Sequence, residues 1–136
     1  MISKKEIKKA PEKVTKKIEK AVRKAKRKRR MNAEYLSEMH AKKLGWNPAN
    51  VSKWIPYIRI TKDLYGFIDL LAIEEDGTVH AIQATSHANI KARINKILGH
   101  ENYAWVKKTN WIIEVWGWKK TIKDGQPNYT LSITKL

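Results

Sequence analysis

Two short apolar segments, residues 66–73 and 79–86, contain the polar side chains best placed to do chemistry. Asp69 interrupts the first segment, and Gln83 lies within the second. A carboxylate inside an apolar run is costly to bury unless it has a polar partner or a metal ion. A salt bridge within the fold is one explanation, but the interior of a strand offers few such partners. Asp69 is therefore the leading candidate for a residue that binds an ion.

The elements around these residues follow from hydrophobic periodicity and turn signals. An acidic turn containing Asp76-Gly77 predicts that the two segments form a β-hairpin. Asn32 and Gly45 are suited to cap and to end the first helix. Strands are predicted over residues 54–61, 65–73, 79–85, 110–118 and 129–134, and helices over 33–44, 88–98 and 101–107. The order α-β-β-β-α-β-β predicts an α/β (α+β) domain with a mixed central sheet flanked by helices.

The positive charge of the chain is concentrated near its beginning. The 136 residues have a net charge of +16, and residues 1–30 contain 15 Lys or Arg and three Glu. Apolar residues recur there at helical spacing, which predicts a basic amphipathic helix over 12–30. We therefore divide the chain into a basic helical arm, residues 1–31, and a second domain, residues 32–136.

A basic segment of this density favours a polyanionic partner. Its apolar face is rich in Ala and Val and lacks the Trp, Phe and Leu anchors of membrane-surface helices, so nucleic acid is favoured over a lipid surface. The alternative is a solvated helix that only aids solubility. The densest run of cations is predicted to contact nucleic acid and consists of Lys26, Arg27, Lys28, Arg29 and Arg30.

Several classes of protein are disfavoured by what the sequence lacks. It contains no Cys, so disulfides, thiolate chemistry and cysteine zinc sites are excluded. No apolar run approaches the roughly 18 residues of a membrane span, and the charged start does not resemble a secretory signal. The sequence contains no glycine-rich phosphate-binding loop, so it gives no support to ATP-driven chemistry. We expect a cytoplasmic protein of a bacterial, archaeal or phage-infected host.

Four short motifs occur in an informative order. Ala33-Glu34 begins the first predicted helix and Gly45-Trp46 ends it. Ile68-Asp69-Leu70 then lies in an apolar strand, and Gln83-Ala84-Thr85 lies in the next one. Over residues 33–118 this order and spacing resemble the PD-(D/E)XK nuclease superfamily, and within it the small archaeal and phage-type Holliday-junction resolvases.

The resemblance implies a restriction-endonuclease-like core and hydrolysis of phosphodiester bonds in DNA with Mg²⁺ or Mn²⁺. Adjacent antiparallel strands bring Asp69 and Gln83 side by side, and these two side chains with the Ala84 carbonyl would form the metal ligands. Thr85 or a displaced lysine would position the attacking water, and Glu34 would assist from the first helix. The resemblance also implies branched DNA as substrate, a role in DNA recombination and repair, and a homodimer.

The chain departs from the superfamily pattern at two positions. Gln83 stands where these nucleases carry Glu, so one ligand loses its charge. Thr85 stands where they carry Lys, so the motif supplies no cation. These departures leave open a second interpretation, a DNA- or RNA-binding protein that keeps the nuclease fold without cleaving. A basic RNA-binding or ribosome-associated protein is a third.

The orientation of the first helix decides whether Glu34 belongs to the site. The apolar residues of this helix, Tyr35, Leu36, Met39 and Leu44, share one face, and Glu34 points away from its centre. Periodicity therefore leaves Glu34 and Glu38 as alternatives, whereas the resemblance favours Glu34. Four further residues are predicted to contact nucleic acid around the site: Lys62, His87, Lys91 and Arg93.

Overall fold

The computed structural model describes residues 31–136, and the predicted helix over 12–30 and the cations Lys26–Arg30 lie outside them. The chain divides into two units, Met1–Met31 and Asn32–Leu136. The second unit is a mixed α+β domain built on a five-stranded mixed sheet. None of the helices in the described part is long and apolar enough to cross a membrane.

The regular elements of the domain begin and end at capping and turn residues. In chain order they are α1 (Ala33–Lys43), β1 (Asn47–Asn50), β2 (Lys53–Ile55), β3 (Ile60–Lys62), β4 (Leu70–Ile73), β5 (Val79–Ser86), a 3-10 turn (His87–Asn89), α2 (Ile90–Leu98), α3 (Tyr103–Lys107), β6 (Ile112–Lys123) and β7 (Gln126–Lys135). The main sheet has the order β1-β4-β5-β6-β7, and β2 and β3 form a separate two-stranded hairpin.

One pair of neighbouring strands in the main sheet is parallel, and the other three pairs are antiparallel. Strands β1, β4 and β5 pair antiparallel, whereas β5 and β6 pair parallel, with α2 and α3 in the connection between them. Strand β7 then pairs antiparallel with β6. A parallel pair needs a crossover of this kind, because a tight turn joins only antiparallel neighbours. The expected mixed sheet with helices is confirmed at this level.

The predicted strand boundaries differ from the observed ones in several places, and β6 and β7 extend further toward their shared turn than the predicted 110–118 and 129–134. Three further differences have a local reason. The single strand expected over 54–61 is a hairpin, since the backbone turns between β2 and β3 and Arg59 adopts a positive φ of 52°. The strand expected over 65–73 begins only at Leu70, because Tyr65 and Gly66 form a turn with positive φ. Strand β1 was not among the predicted strands; its Pro48 is tolerated because β1 is an edge strand.

Helices cover the sheet on two sides. On one side Ala41 of α1 packs into an apolar cluster with Leu70, Ala72, Ile82 and Trp116. A second cluster receives Ile97 from α2 and Val106 from α3, and the sheet and loop residues in it are Phe67, Ile68, Ala81, Ile113 and Val115. Strand β5 contributes to both clusters, so it is buried on both faces and lies at the centre of the domain.

The two ends of α1 are fixed by capping interactions. At the beginning, the Asn32 side chain accepts a hydrogen bond from the Tyr35 backbone N–H at 2.8 Å. At the end, Gly45 has a φ of +82° and Trp46 donates its N–H to the Ala41 carbonyl at 3.0 Å. This is a Schellman ending, in which glycine takes the left-handed conformation. It directs Trp46 onto the ring of His80, with 4.0 Å between ring centroids.

His80 and Glu114 form a buried polar pair beneath this tryptophan. Nδ1 of His80 hydrogen-bonds Oε1 of Glu114, and the indole N–H of Trp116 donates to Oε2 of Glu114 at 3.3 Å. The other ring nitrogen of His80 lies 3.2 Å from a carboxylate oxygen of Glu74. Glu114 thus links β5 to β6 through side chains as well as through the backbone.

Removing the Glu114 carboxylate should destabilise the domain without touching the candidate site. We expect Glu114→Ala to lower the free energy of unfolding by about 1–3 kcal/mol for each buried donor left without a partner. Glu114→Gln keeps an acceptor at this position and should cost less than the alanine variant. Urea denaturation of the three proteins measures the difference. Equal stability of Glu114→Ala and the wild type would show that the pair does not stabilise the fold.

Candidate active site

Asp69 lies between two neighbouring strands at the start of β4. Its backbone N–H donates to the Ile82 carbonyl, and its carbonyl accepts from the Val51 N–H, both at 2.9 Å. Its side chain is 3% exposed. The backbone is thus held from both sides, which fixes where the carboxylate points.

Gln83 and Ala84 of β5 hold one carboxylate oxygen of Asp69. The Gln83 side chain donates to Oδ2 at 2.6 Å, and the Ala84 N–H donates to the same oxygen at 3.0 Å. The pairing of Leu70 with Ile82 continues by one residue to bring Asp69 opposite Gln83. The adjacency predicted from the hairpin is therefore confirmed, while the roles of these residues, and of the Ala84 carbonyl, as metal ligands stay predictions.

The amide oxygen of Gln83 is buried and has no hydrogen-bond partner in the described part of the chain. Buried amide oxygens in folded proteins nearly always have a partner, because leaving one unpaired costs about 1–3 kcal/mol. The amide nitrogen is already used by Asp69. The free oxygen is thus a potential ligand beside a carboxylate.

Sequence reasoning missed Asp63, which it placed in a turn. Asp63 follows β3, and its carboxylate hydrogen-bonds the side chain of Asp69 while accepting a hydrogen bond from the Ser52 hydroxyl at 3.1 Å. The loop at Tyr65 and Gly66, closed by Leu64 donating to Ile68 at 3.0 Å, turns the chain back between the two aspartates. Gly66 before the apolar run was the available signal that the chain turns back here.

Glu34 is the third acidic residue of the site, and its charge acts on Asp69. Ser37 and Ala41 are the buried residues of α1, and Glu34 lies on the same side of the helix, one turn before Ser37. Its charge acts on Asp69, and its Oε2 accepts from Asn50 at 3.1 Å. We call Glu34, Asp63 and Asp69 the carboxylate cluster.

The predicted apolar face of α1 was wrong, because the sheet receives small side chains there. Met39 and Leu44 are exposed, whereas Ser37 accepts a hydrogen bond from the Trp118 indole at 2.8 Å. The side chain of Glu38 instead pairs with Lys42 at 3.5 Å. The alternative between Glu34 and Glu38 is thereby resolved in favour of Glu34 as the residue near Asp69.

The environment of Asp69 disfavours its negative charge. Burial is the largest cause and, with the hydrogen bond and charge of Asp63 and the charge of Glu34, raises the pKa of Asp69 to about 8. The hydrogen bond from the Ala84 N–H lowers the pKa of Asp69, but by less than burial and the neighbouring carboxylates raise it. Without a cation, Asp69 therefore keeps a proton at neutral pH.

A cavity of about 440 Å³ opens beside the cluster. The walls come from the start of α1, from the β2–β3 hairpin and from β5, and the lining residues are Asn32, Ala33, Glu34, Ser52, Trp54, Thr61 and Ala84. Ser52 and Ala84 also hydrogen-bond Asp63 and Asp69, so the cavity and the cluster share a wall.

The remaining predicted residues form no recorded ion pair with this region of the described structure. Thr85 is buried in β5, two residues after Gln83. Lys62 ends β3 directly before Asp63, and Lys91 belongs to α2. In the described residues, no lysine or arginine forms an ion pair with the carboxylate cluster. His87 and Arg93 lie in the 3-10 turn and in α2; the predicted contacts of all four residues with nucleic acid stay predictions.

The donor chemistry of the site fits a hard divalent cation. Within residues 31–136 no three Asp, Glu, His or Cys side chains are gathered as a ready-made metal site. Mg²⁺, however, is commonly bound through one or two carboxylates and keeps several waters. Asp69 and Asp63 would supply the carboxylates for such an ion, and the unpartnered oxygen of Gln83 would supply a neutral ligand.

Comparisons with protein-family models, with curated proteins and with solved structures found no significant match to this chain.

The proton on Asp69 should make the stability of the metal-free protein depend on pH. In the folded state the pKa of Asp69 is raised from 3.8 to about 8. The contribution of this residue to the free energy of unfolding is therefore greatest at low pH and is lost as the pH rises through that range. In EDTA, the wild type should therefore lose stability relative to Asp69→Asn as the pH rises. The difference between their free energies of unfolding should change by about 1 kcal/mol per pH unit between about pH 6 and pH 8.

Urea denaturation at several pH values measures this difference, and the variant serves as the control for pH effects that arise elsewhere in the chain. Added Mg²⁺ should restore the stability of the wild type at the upper pH and leave Asp69→Asn unchanged. A difference between the two proteins that does not vary with pH would contradict a protonated Asp69.

Proposed function

We propose that this protein is a metal-dependent DNA endonuclease that acts on branched or otherwise structured DNA. The observation that carries the proposal is the contact between Asp69 and Gln83 on adjacent strands, next to two further carboxylates and an open cavity. Such a set of oxygen ligands, with no compensating cation among the described residues, suits Mg²⁺ or Mn²⁺.

The order of the elements supports the same proposal. Helix α1, the antiparallel strands β1, β4 and β5, helix α2 and the parallel strand β6 follow one another in the order α-β-β-β-α-β. This order is compatible with the restriction-endonuclease-like core that the resemblance implies. The β2–β3 hairpin is an insertion into that order, and α3 and β7 are additions to it.

Each residue of the site has a defined part in the proposed hydrolysis. A bound Mg²⁺ would polarise the phosphodiester and make a water molecule more acidic. Asp69, with its proton released to solvent, and the amide oxygen of Gln83 would hold this ion. Glu34 accepts a hydrogen bond from Asn50 through Oε2, and its other oxygen is the acceptor that orients the attacking water.

Thr85 limits what this site can achieve. Its hydroxyl can donate one hydrogen bond to a water or a phosphate oxygen, but it carries no charge to offset the negative charge that develops during attack. Cationic contacts with the phosphate backbone must therefore come from outside the motif, for which Lys62, Lys91 and Arg93 are the candidates. We infer slow cleavage that depends strongly on metal concentration.

A non-catalytic nucleic-acid-binding protein is the second candidate. The observation that favours it is the pair of neutral residues, Gln83 and Thr85, at the two positions where a nuclease needs charge. The dense cations of residues 1–30 are compatible with either function, because phosphate contacts give affinity without chemistry. A homodimer, implied by the resemblance to resolvases, belongs to the first proposal.

Cleavage of labelled DNA tests the proposal. The purified protein should cut a four-way junction with Mg²⁺ or Mn²⁺ and not in EDTA. Asp69→Ala should reduce the rate by about 100-fold or more, since loss of even a residue that only supports a metal ligand costs 10–100-fold.

Glu75→Gln is the matched control, because Glu75 is an exposed acid in the turn that precedes β5. It should cut at the rate of the wild type. Cleavage that survives Asp69→Ala would place the active site elsewhere, and DNA binding without cleavage under either metal would favour the non-catalytic candidate.

A further inference from the structure

The β2–β3 hairpin exposes apolar side chains that the core does not use. Trp54 is 56% exposed and Tyr57, in the turn, is 85% exposed. Ile58 and Ile60 are also at least half exposed. Exposed apolar residues are ordinary when scattered, but several on one short hairpin indicate a surface that binds something.

The two faces of this hairpin differ in chemistry. Trp54 pairs with Thr61 across the strands, and both residues line the cavity beside the carboxylate cluster. The flanking pair Lys53 and Lys62 lies on the opposite face, because side chains alternate along a strand. With Arg59 in the turn, residues 53–62 contain three cations and no carboxylate.

The position of Trp54 relative to Asp69 is set by short connections. Ser52, directly before β2, donates a hydrogen bond to Asp63 at 3.1 Å. Asp63, directly after β3, hydrogen-bonds the side chain of Asp69. Both ends of the hairpin are therefore tied to the carboxylate cluster, and the indole of Trp54 forms a wall of the same cavity.

Aromatic side chains interleaved with cations favour unpaired nucleotides. A base that is free of its duplex partner can stack on an indole, while Lys or Arg contacts the adjoining phosphates. A duplex keeps its bases stacked inside and offers only the phosphates. A second copy of this chain suits the hairpin less well, because a two-fold contact would bring like charges of Lys53, Arg59 and Lys62 together.

We propose that Trp54 stacks on an unpaired base of DNA and that the hairpin thereby directs the adjoining phosphodiester into the cavity beside Asp69. This inference rests on the proposed nuclease function and adds the feature that selects the substrate. Trp54 is a specificity residue, which acts by binding and takes no part in the bond-breaking step.

A binding experiment in EDTA tests the inference independently of cleavage. The affinity of the full chain is measured by fluorescence anisotropy for a labelled duplex and for the same duplex carrying a loop of unpaired nucleotides. The wild type should prefer the looped DNA. Trp54→Ala should bind the looped DNA about 5- to 150-fold more weakly and bind the duplex unchanged, as expected for the loss of one stacked base.

Two variants make the result specific. Trp54→Phe keeps an aromatic face and should retain most of the preference. Trp105→Ala removes an equally exposed tryptophan, 64% exposed on α3, and should behave like the wild type. Circular dichroism and unchanged duplex binding show that each variant is folded.

Three outcomes would overturn the inference. They are a wild type without preference for unpaired nucleotides, a Trp54→Ala variant that keeps the preference, and equal losses in Trp54→Ala and Trp105→Ala. A change in sedimentation of Trp54→Ala would instead identify the hairpin as a contact between two copies. Failure of the nuclease proposal has a different signature, namely a preserved binding preference without any cleavage.

Discussion

A buried carboxylate with no positive partner in the described residues is the constraint on which this site depends. Asp69 is held by backbone hydrogen bonds on both sides and by Gln83, yet Asp63 and Glu34 add negative charge around it. The fold tolerates this only with a bound proton or a cation. A proton neutralises the carboxylate of Asp69 without supplying chemistry, whereas the divalent cation that we propose would neutralise it and could act on a phosphodiester in the adjacent cavity.

Two of the buried polar residues of strand β5, His80 and Gln83, differ in their surroundings. His80 and Gln83 point to opposite faces of the strand. His80 is enclosed by Glu114, Glu74 and the ring of Trp46, so its contacts are internal. Gln83 leaves its amide oxygen without a hydrogen-bond partner in residues 31–136. The first group stabilises the packing of helix on sheet, and the second is available to a ligand.

Local sequence signals predicted some parts of the site and missed others. The meeting of Asp69 with Gln83 followed from hairpin register, which a turn and two apolar strands specify. The orientation of Glu34 did not follow from the hydrophobic periodicity, because α1 buries the small residues Ser37 and Ala41 and exposes Met39. Asp63 was missed because its contact with Asp69 depends on a positive-φ turn at Tyr65 and Gly66. The hairpin with Trp54 was merged into one strand for the same kind of reason.

The most direct measurement is the binding of Mn²⁺, followed by the electron paramagnetic resonance signal of the free ion, to proteins altered at Gln83. If Asp69 and Gln83 hold the ion together, Gln83→Leu should weaken binding and Gln83→Glu, which adds a charged ligand at the same place, should tighten it. Asp69→Asn should abolish binding at this site. Equal affinity of the wild type and all three variants would contradict a metal centre at the start of β4.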